Sequence, residues 1–226
     1  IFVTGGSGFF GRWLLESFWS ANERLGLNAR LVFLSRNPDV LRARAPHLFV
    51  GEAIQSVVGD VRTFSLKKLH AQLPKIEPKF GFMVHAATAA SAKLNQENPL
   101  LMFDTIVQGT RAALDLASAI GVRRFLLTSS GAVYGKQPSE LTHIPEEYSG
   151  GPDCCDPASA YGEGKRAAEF LCASFGVEHG IDCLIARGFA FVGPFLPLDV
   201  HFAIGNFIRD ALAGGPIRIG GDGTPH

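Results

Sequence analysis

Three glycines spaced three apart, Gly5, Gly8 and Gly11, separate the apolar run Ile1-Phe2-Val3-Thr4 from a helical pattern over about Phe10 to Arg24. No other feature restricts the fold as much. A strand that turns at once into a helix needs a residue that tolerates positive φ. It also needs a point where backbone can approach a ligand without a Cβ, and a small residue where helix meets sheet. The helix start then offers N–H groups and the positive end of its dipole to phosphates. Because the triplet ends a strand and opens a helix, it reads as a dinucleotide site, with Gly5, Gly8, Phe9, Phe10 and Gly11 as contacts. The competing reading is a plain tight turn.

The remaining pattern extends this start. Leu31–Leu34, Ile54–Val58, Phe80–His85, Phe125–Thr128 and Ile181–Ala186 are short apolar runs. Helical patterns separate the later ones, at about 99–120 and 159–177, with a shorter one near 202–213. Short apolar strands alternating with helices indicate parallel βαβ units with both sheet faces covered. Right-handed crossovers make this an α/β, doubly wound parallel sheet. Residues 136–157 read as loop, broken by Pro138, Pro145, Gly150, Gly151, Pro152 and Pro157. Gly and Pro rise again beyond Arg187, so residues 1–188 are assigned to the dinucleotide-binding domain and 189–226 to the start of a small substrate-binding lobe. The first strand is short for a buried one, and the chain closes on a glycine-rich turn; continuation at both ends is expected.

The chain has 226 residues, of which 46% are hydrophobic, enough for a sizeable core. Lys+Arg and Asp+Glu are 21 each, so no basic field favours nucleic acid or an anionic membrane. Cys154, Cys155, Cys172 and Cys183 form no CxxC pair and no metal-ligand spacing; no metal is expected, and reduced thiols suit a cytoplasmic protein. No apolar run reaches the ~18–20 residues of a membrane span.

At the end of the second strand, a carboxylate would bind the ribose 2′-OH of NAD. Ser35 and Arg36 stand there instead. Ser35 removes repulsion toward a 2′-phosphate, and Arg36 offers a fork of donors to it, so the balance leans to NADP over NAD. Alternatively, Arg36 is a solvated charge or stacks on adenine beside NAD. Asp60, with Val61 beside it, is suited to accept from the adenine amino group; its other reading is a turn or capping residue.

Tyr161 and Lys165 lie at i and i+4, on one helix face. A phenol with an ordinary pKa of ~10 is a poor base, and a nearby ammonium lowers that value. Lys165 can also hold ribose hydroxyls. Gly162 and Gly164 hint at close backbone approach, or at a loose helix start. Upstream, Thr128-Ser129-Ser130-Gly131 closes the fifth strand at the sheet edge where such folds bind ligands. A hydroxyl there can hydrogen-bond a reacting oxygen; alone, it is an ordinary serine-rich turn.

Several of these features occur together in order: Thr4-Gly-x-x-Gly-x-x-Gly11, Gly59-Asp60, His85-Ala86-Ala87, Gly109-Thr110, Ser129 through Gly135, Pro157 through Lys165, and Arg187 followed by Gly193-Pro194. The chain resembles the extended short-chain dehydrogenase/reductases, in the nucleotide-sugar epimerase/dehydratase branch. The resemblance implies a Rossmann-type domain and a nucleotide-sugar substrate. It implies catalytic roles for Ser130, Tyr161 and Lys165, and a cofactor lining at Ala86 and Ala87. Long helices 99–120 and 159–177, with Ala112, Ala113, Ala167 and Ala168, would suit a homodimer or face the sheet. Departures also count. Gly131 and Ala132 replace the Asp-Glu pair of sugar 4,6-dehydratases, which lowers the dehydratase reading. Thr105 and Ala190 stand where the family often has Asn; Asn206 and His201 are candidate substitutes for substrate contact. The expected activity is C4 epimerisation through a transient 4-keto sugar. The alternatives are a reductase or dehydrogenase, and an NADP(H)-sensing binding module.

Overall fold

The computed structural model describes residues 1–75, 79–88, 91–198 and 203–219. Six strands, β1 (Phe2–Thr4), β2 (Leu31–Ser35), β3 (Ile54–Val58), β4 (Phe82–His85), β5 (Arg124–Ser130) and β6 (Asp182–Gly188), form one parallel sheet in the order β3-β2-β1-β4-β5-β6. The direction of strand addition reverses between β1 and β4. Ligands of open α/β sheets bind at the carboxyl ends of the strands at such a reversal. Thr4 pairs with His85 there, and His85 with Leu127.

The near-continuous apolar strands have a direct cause. Alternate residues feed two cores, one on each sheet face. Phe2, Val32, Leu34 and Val57 join Phe125 and Leu127 beneath the helices α5 (Pro99–Ala119) and α6 (Ala160–His179). Val3, Leu31, Phe33 and Ile54 pack with Leu15, Phe18 and Trp19 of α1 (Phe9–Leu25). Ala113 and Ala168 lie in the first core, so these two alanines serve internal packing; Ala112 and Ala167 are half-buried.

Sequence periodicity missed three short helices: α2 (Asp39–Arg44), α3 (Leu66–Gln72) and α4 (Ala92–Glu97). Each is only two turns or less, too short to display an amphipathic repeat. The last helix, α7 (Ala203–Leu212), falls within the expected region. Strand β6 departs from the expectation of two covered faces: Leu184 is 49% and Ile185 39% exposed. Its position explains this, since among the described strands it pairs only with β5. Two compact units are present, Ile1–Phe189 and one beginning at Ala190.

Candidate active site

The glycine turn is built by contacts of its own backbone. Gly5 has φ +75°, and a Cβ there would lie 2.7 Å from the backbone of Ala86 and Ala87. Its N–H donates to the Leu34 carbonyl, and the Ala86 N–H donates to the Thr4 carbonyl. The turn is thereby fixed to β2 and to the end of β4. At Gly11 a Cβ would meet the Gly5 carbonyl oxygen at 2.1 Å, so this glycine serves helix–turn packing. Gly8 differs. Its φ and ψ, −76° and 174°, suit any residue, and a Cβ would come no nearer than 3.4 Å to the Gly5 oxygen. The protein itself does not demand glycine there; a phosphate lying against α1 would. Gly8 supplies no side-chain cap to that helix. Phe9 and Phe10, in its first turn, are half-buried. The Thr88 hydroxyl oxygen, just past Ala86 and Ala87, is buried without a hydrogen-bond partner among the described residues. The residues present therefore fit a bound dinucleotide.

At the end of β2, Ser35 is buried and its hydroxyl shares a 2.6 Å hydrogen bond with Ser7 while accepting from the Asn37 N–H. Arg36 is exposed. Asp60 accepts from Arg62 at Nε (3.0 Å), Nη2 (2.9 Å) and the backbone N–H (2.9 Å). These hydrogen bonds, with the charges of Arg62 and Arg36, hold its carboxyl down at about 2 despite some desolvation. Arg62 is a neighbour that the sequence reading overlooked. Asp60 does not cap the next helix, since Ser65 is the N-cap of α3. Val61 packs against the larger core and contacts the site of Gly109. Thr105 donates to the Leu101 carbonyl of its own helix at 2.7 Å, which absorbs its hydroxyl proton.

Ser130 ends β5, and its hydroxyl accepts from the Ala132 N–H of the following 3-10 turn. Tyr161 and Lys165 lie in the first turns of α6. Gly162 and Gly164 let that helix approach closely: a Cβ at 162 would meet the Ala132 oxygen at 2.8 Å, and one at 164 would meet Ile106 at 3.1 Å. Asn95 of α4 accepts from the Tyr161 N–H (3.0 Å) and donates to the Ala158 carbonyl (2.7 Å), fixing the helix entry. The Ser130 side chain lies close enough to the Tyr161 phenol to favour its charged form. Lys165 is 3% exposed; its ammonium donates to the Thr128 carbonyl (2.8 Å) and lies 5.8 Å from the Tyr161 ring centroid. Burial pulls Lys165 down to about 8, opposed by Glu169 and Cys172. Burial also pushes the Tyr161 phenol up, with Ser130 acting against it. This corrects the expectation that the phenol is lowered: desolvation outweighs Ser130, and the Lys165 ammonium instead donates to the Thr128 carbonyl.

Two groups beneath the site were given no role by the sequence. His85 is fully enclosed between Thr4 (2.7 Å to Nδ1) and Thr110 (3.2 Å to Nε2), and desolvation, then the Lys165 charge, lowers it to about 3. It is therefore neutral. Thr4 also accepts from the Ala87 N–H, so this buried network ties β1, β4 and α5 beneath Ala86 and Ala87. The second is Glu169, bound by Ser129 (2.6 Å) and twice by Arg187 (3.0 and 2.8 Å).

Position 131 is crowded by Phe189, whose ring stands 2.4 Å from where a Cβ would be and stacks on Tyr134. In the second unit, Asn206 of α7 accepts from Arg209 at 3.2 Å. His201 lies outside the described residues. Among them, one group of three possible metal ligands occurs, Asp153, Cys154 and Cys155, all exposed. A cleft of about 430 Å³ beside Arg187 and Glu169 is not lined by Ser130, Tyr161 or Lys165. No described helix is long and apolar enough to cross a membrane.

Comparison with known proteins matches residues 1–226 to the NAD dependent epimerase/dehydratase family. The chain is 33% identical over 227 residues to UDP-glucuronic acid decarboxylase 3 of Arabidopsis thaliana, covering 99% of this chain and 60% of that one. It is 30% identical over 224 residues to UDP-glucuronic acid decarboxylase 1 of Xenopus tropicalis, covering 99% and 48%. The chain thus spans 60% or less of the length of these two relatives. Among solved structures, a UDP-galactose 4-epimerase superposes with TM-score 0.70 at 27% identity, over 94% of this chain and 62% of that one. UDP-glucuronic acid 4-epimerase from Bacillus cereus, in complex with UDP-glucuronic acid and NAD, shares the fold at TM-score 0.78 and 21% identity, over 99% and 66%.

Proposed function

The chain belongs to the NAD dependent epimerase/dehydratase family, and we propose that the intact protein oxidises and re-reduces C4 of a nucleotide-activated sugar, acting as an epimerase. One observation carries this reading: Ser130, Tyr161 and Lys165 converge at the carboxyl end of β5, in a sheet where β4 alone separates β5 from the β1 glycine turn. Tyr161 takes the proton from the sugar hydroxyl and returns it. Ser130 holds the developing carbonyl oxygen by a hydrogen bond. Lys165, cationic below about 8, binds ribose hydroxyls. NAD, when bound along Gly5–Gly11, supplies hydride acceptance and return together with a positive charge. Inversion follows when the keto sugar presents its other face to the same residues. The unit from Ala190 is assigned to substrate binding, with Asn206 as a contact.

Water elimination needs further proton-transfer groups after Ser130, and Gly131 and Ala132 provide none. Decarboxylation is the second reading, favoured by the 30–33% identity to UDP-glucuronic acid decarboxylases. It begins with the same C4 oxidation and uses the same three groups. For the cofactor, Ser35 and Arg36 support acceptance of a 2′-phosphate, so NADP binding is proposed beside the NAD of the family. The discriminating experiment incubates the intact protein with UDP-hexoses and with carboxyl-labelled UDP-glucuronic acid. C4 epimers formed without net cofactor consumption support the epimerase. Release of labelled carbon dioxide supports the decarboxylase, and stoichiometric reduction of added NAD or NADP supports a dehydrogenase. No conversion of any sugar nucleotide overturns the proposal and leaves the cofactor-sensing module.

A further inference from the structure

The helix carrying the proton-transfer pair places a third polar residue on the same face. Tyr161, Lys165 and Glu169 recur at i, i+4 and i+8 along α6, and all three engage consecutive residues at the end of β5. Lys165 donates to the Thr128 carbonyl at 2.8 Å. Ser129 donates its hydroxyl to Glu169 Oε1 at 2.6 Å. Ser130, the next residue, acts on the Tyr161 phenol. The helix therefore grips the strand end through two hydrogen bonds, from Lys165 and to Glu169, beside the approach of Ser130 to Tyr161, and Glu169 is the member outside the reacting groups.

Glu169 is itself held from the other side. Arg187 of β6, paired with Ser129 in the sheet register, donates Nε to Oε1 (3.0 Å) and Nη2 to Oε2 (2.8 Å). The remaining Nη1 of Arg187 donates to the Tyr134 hydroxyl (2.9 Å) and to the Glu146 carbonyl (2.8 Å). One carboxylate thus joins α6, β5 and β6, and through Arg187 the turn that follows Ser130. The Glu169 side chain is 12% exposed, so this pairing is well shielded from solvent.

We propose that Glu169 is a positioning residue of the site, fixing Ser129–Ser130 against Tyr161 and Lys165. The inference rests on the redox reading of Tyr161 given above. The charged and titratable groups facing Lys165 are Tyr161, Glu169 and Cys172 on its own helix and His85 on β4. Of these, Glu169 is the anion that acts most strongly to keep it protonated. Without it, burial is opposed less, and Lys165 loses its proton at lower pH.

The test is E169Q, which keeps the size and one acceptor while removing the charge. Turnover of the sugar nucleotide should fall roughly 10- to 100-fold, as for a misplacement of reacting groups. The dissociation constant for NAD should stay within about twofold. The Lys165 side-chain resonance, assigned by its loss in K165M and titrated by NMR without cofactor, should move to a lower midpoint; E169D should restore it. Unchanged turnover with an unchanged Lys165 midpoint overturns the proposal. So does equal loss of turnover and NAD binding with an unmoved midpoint, which marks a merely structural role. If E169Q does not fold, S129A replaces it: this variant severs only the 2.6 Å hydrogen bond, and wild-type turnover in it overturns the proposal. A wild-type protein that converts no sugar nucleotide sinks the redox reading instead; the Lys165 titration then still decides whether Glu169 sets its charge.

Discussion

Two alanine substitutions in the glycine turn should separate folding from cofactor binding. In Gly11→Ala the new methyl would stand 2.1 Å from the Gly5 carbonyl oxygen. To reach ordinary contact at 3.4 Å it must retreat by about 1.3 Å, and both partners are backbone of a turn fixed to β2 and β4. Overpacking of this kind costs up to about 3 kcal/mol, against which the helix propensity of Ala returns about 1. The net loss of about 2 kcal/mol should lower Tm by roughly 4–8 °C in a chain of this size. In Gly8→Ala the methyl already sits at 3.4 Å, and φ −76° and ψ 174° suit alanine. Only the weaker N-cap preference of Ala is lost, about 0.5 kcal/mol, so Tm should fall by no more than about 2 °C. The methyl instead projects where the phosphates would rest. An overpacking cost of about 1–3 kcal/mol in the complex weakens dinucleotide binding roughly 5- to 150-fold. Differential scanning calorimetry gives the first quantity and titration calorimetry with NAD the second. A Gly8→Ala protein that binds NAD as tightly as wild type refutes the reasoning that close phosphate approach requires glycine there.

Acid stability should report His85. Its folded value of about 3 lies below the unfolded ~6.5, so the unfolded chain takes up the proton first and stability falls as pH drops from about 6.5 toward 3. At pH 5 this amounts to about 2 kcal/mol, and His85→Gln should lack that part of the decline between pH 7 and 5 in urea titrations; identical slopes would exclude it. Tyr161→Phe should reduce turnover by about 10²- to 10⁴-fold while NAD binding stays within about threefold, a result that also rejects the sensing module if biological activity is lost with turnover. Arg36→Ala should weaken NADP binding about 10-fold or more and leave NAD nearly unchanged; an unaltered NADP-to-NAD affinity ratio would remove the 2′-phosphate role.

The features legible from sequence are those set by local spacing. Glycines three apart, a Tyr and a Lys one helical turn apart, and apolar runs all read along a single element, and the parallel sheet and its helices follow from them. What stayed hidden depends on which side chains pair, within a loop as well as between elements. Arg62 takes the Asp60 carboxylate two residues away, yet nothing in the spacing says that Asp60 is held by a guanidinium before any adenine approaches. His85 could be placed at a strand end, but its neutrality follows from Thr4 and Thr110, 81 positions before it and 25 after it in the chain. Lys165 shows the limit most clearly. Its distance from Tyr161 in sequence suggests an ammonium that lowers the phenol, whereas its depth in the fold lowers the ammonium itself. The helix spacing brings the pair together, but the burial supplied by β5 and α5 decides which proton is held. A site of this kind is therefore tuned by the packing around it, and residues such as Glu169 that counter the burial influence the chemistry without touching the reacting atoms.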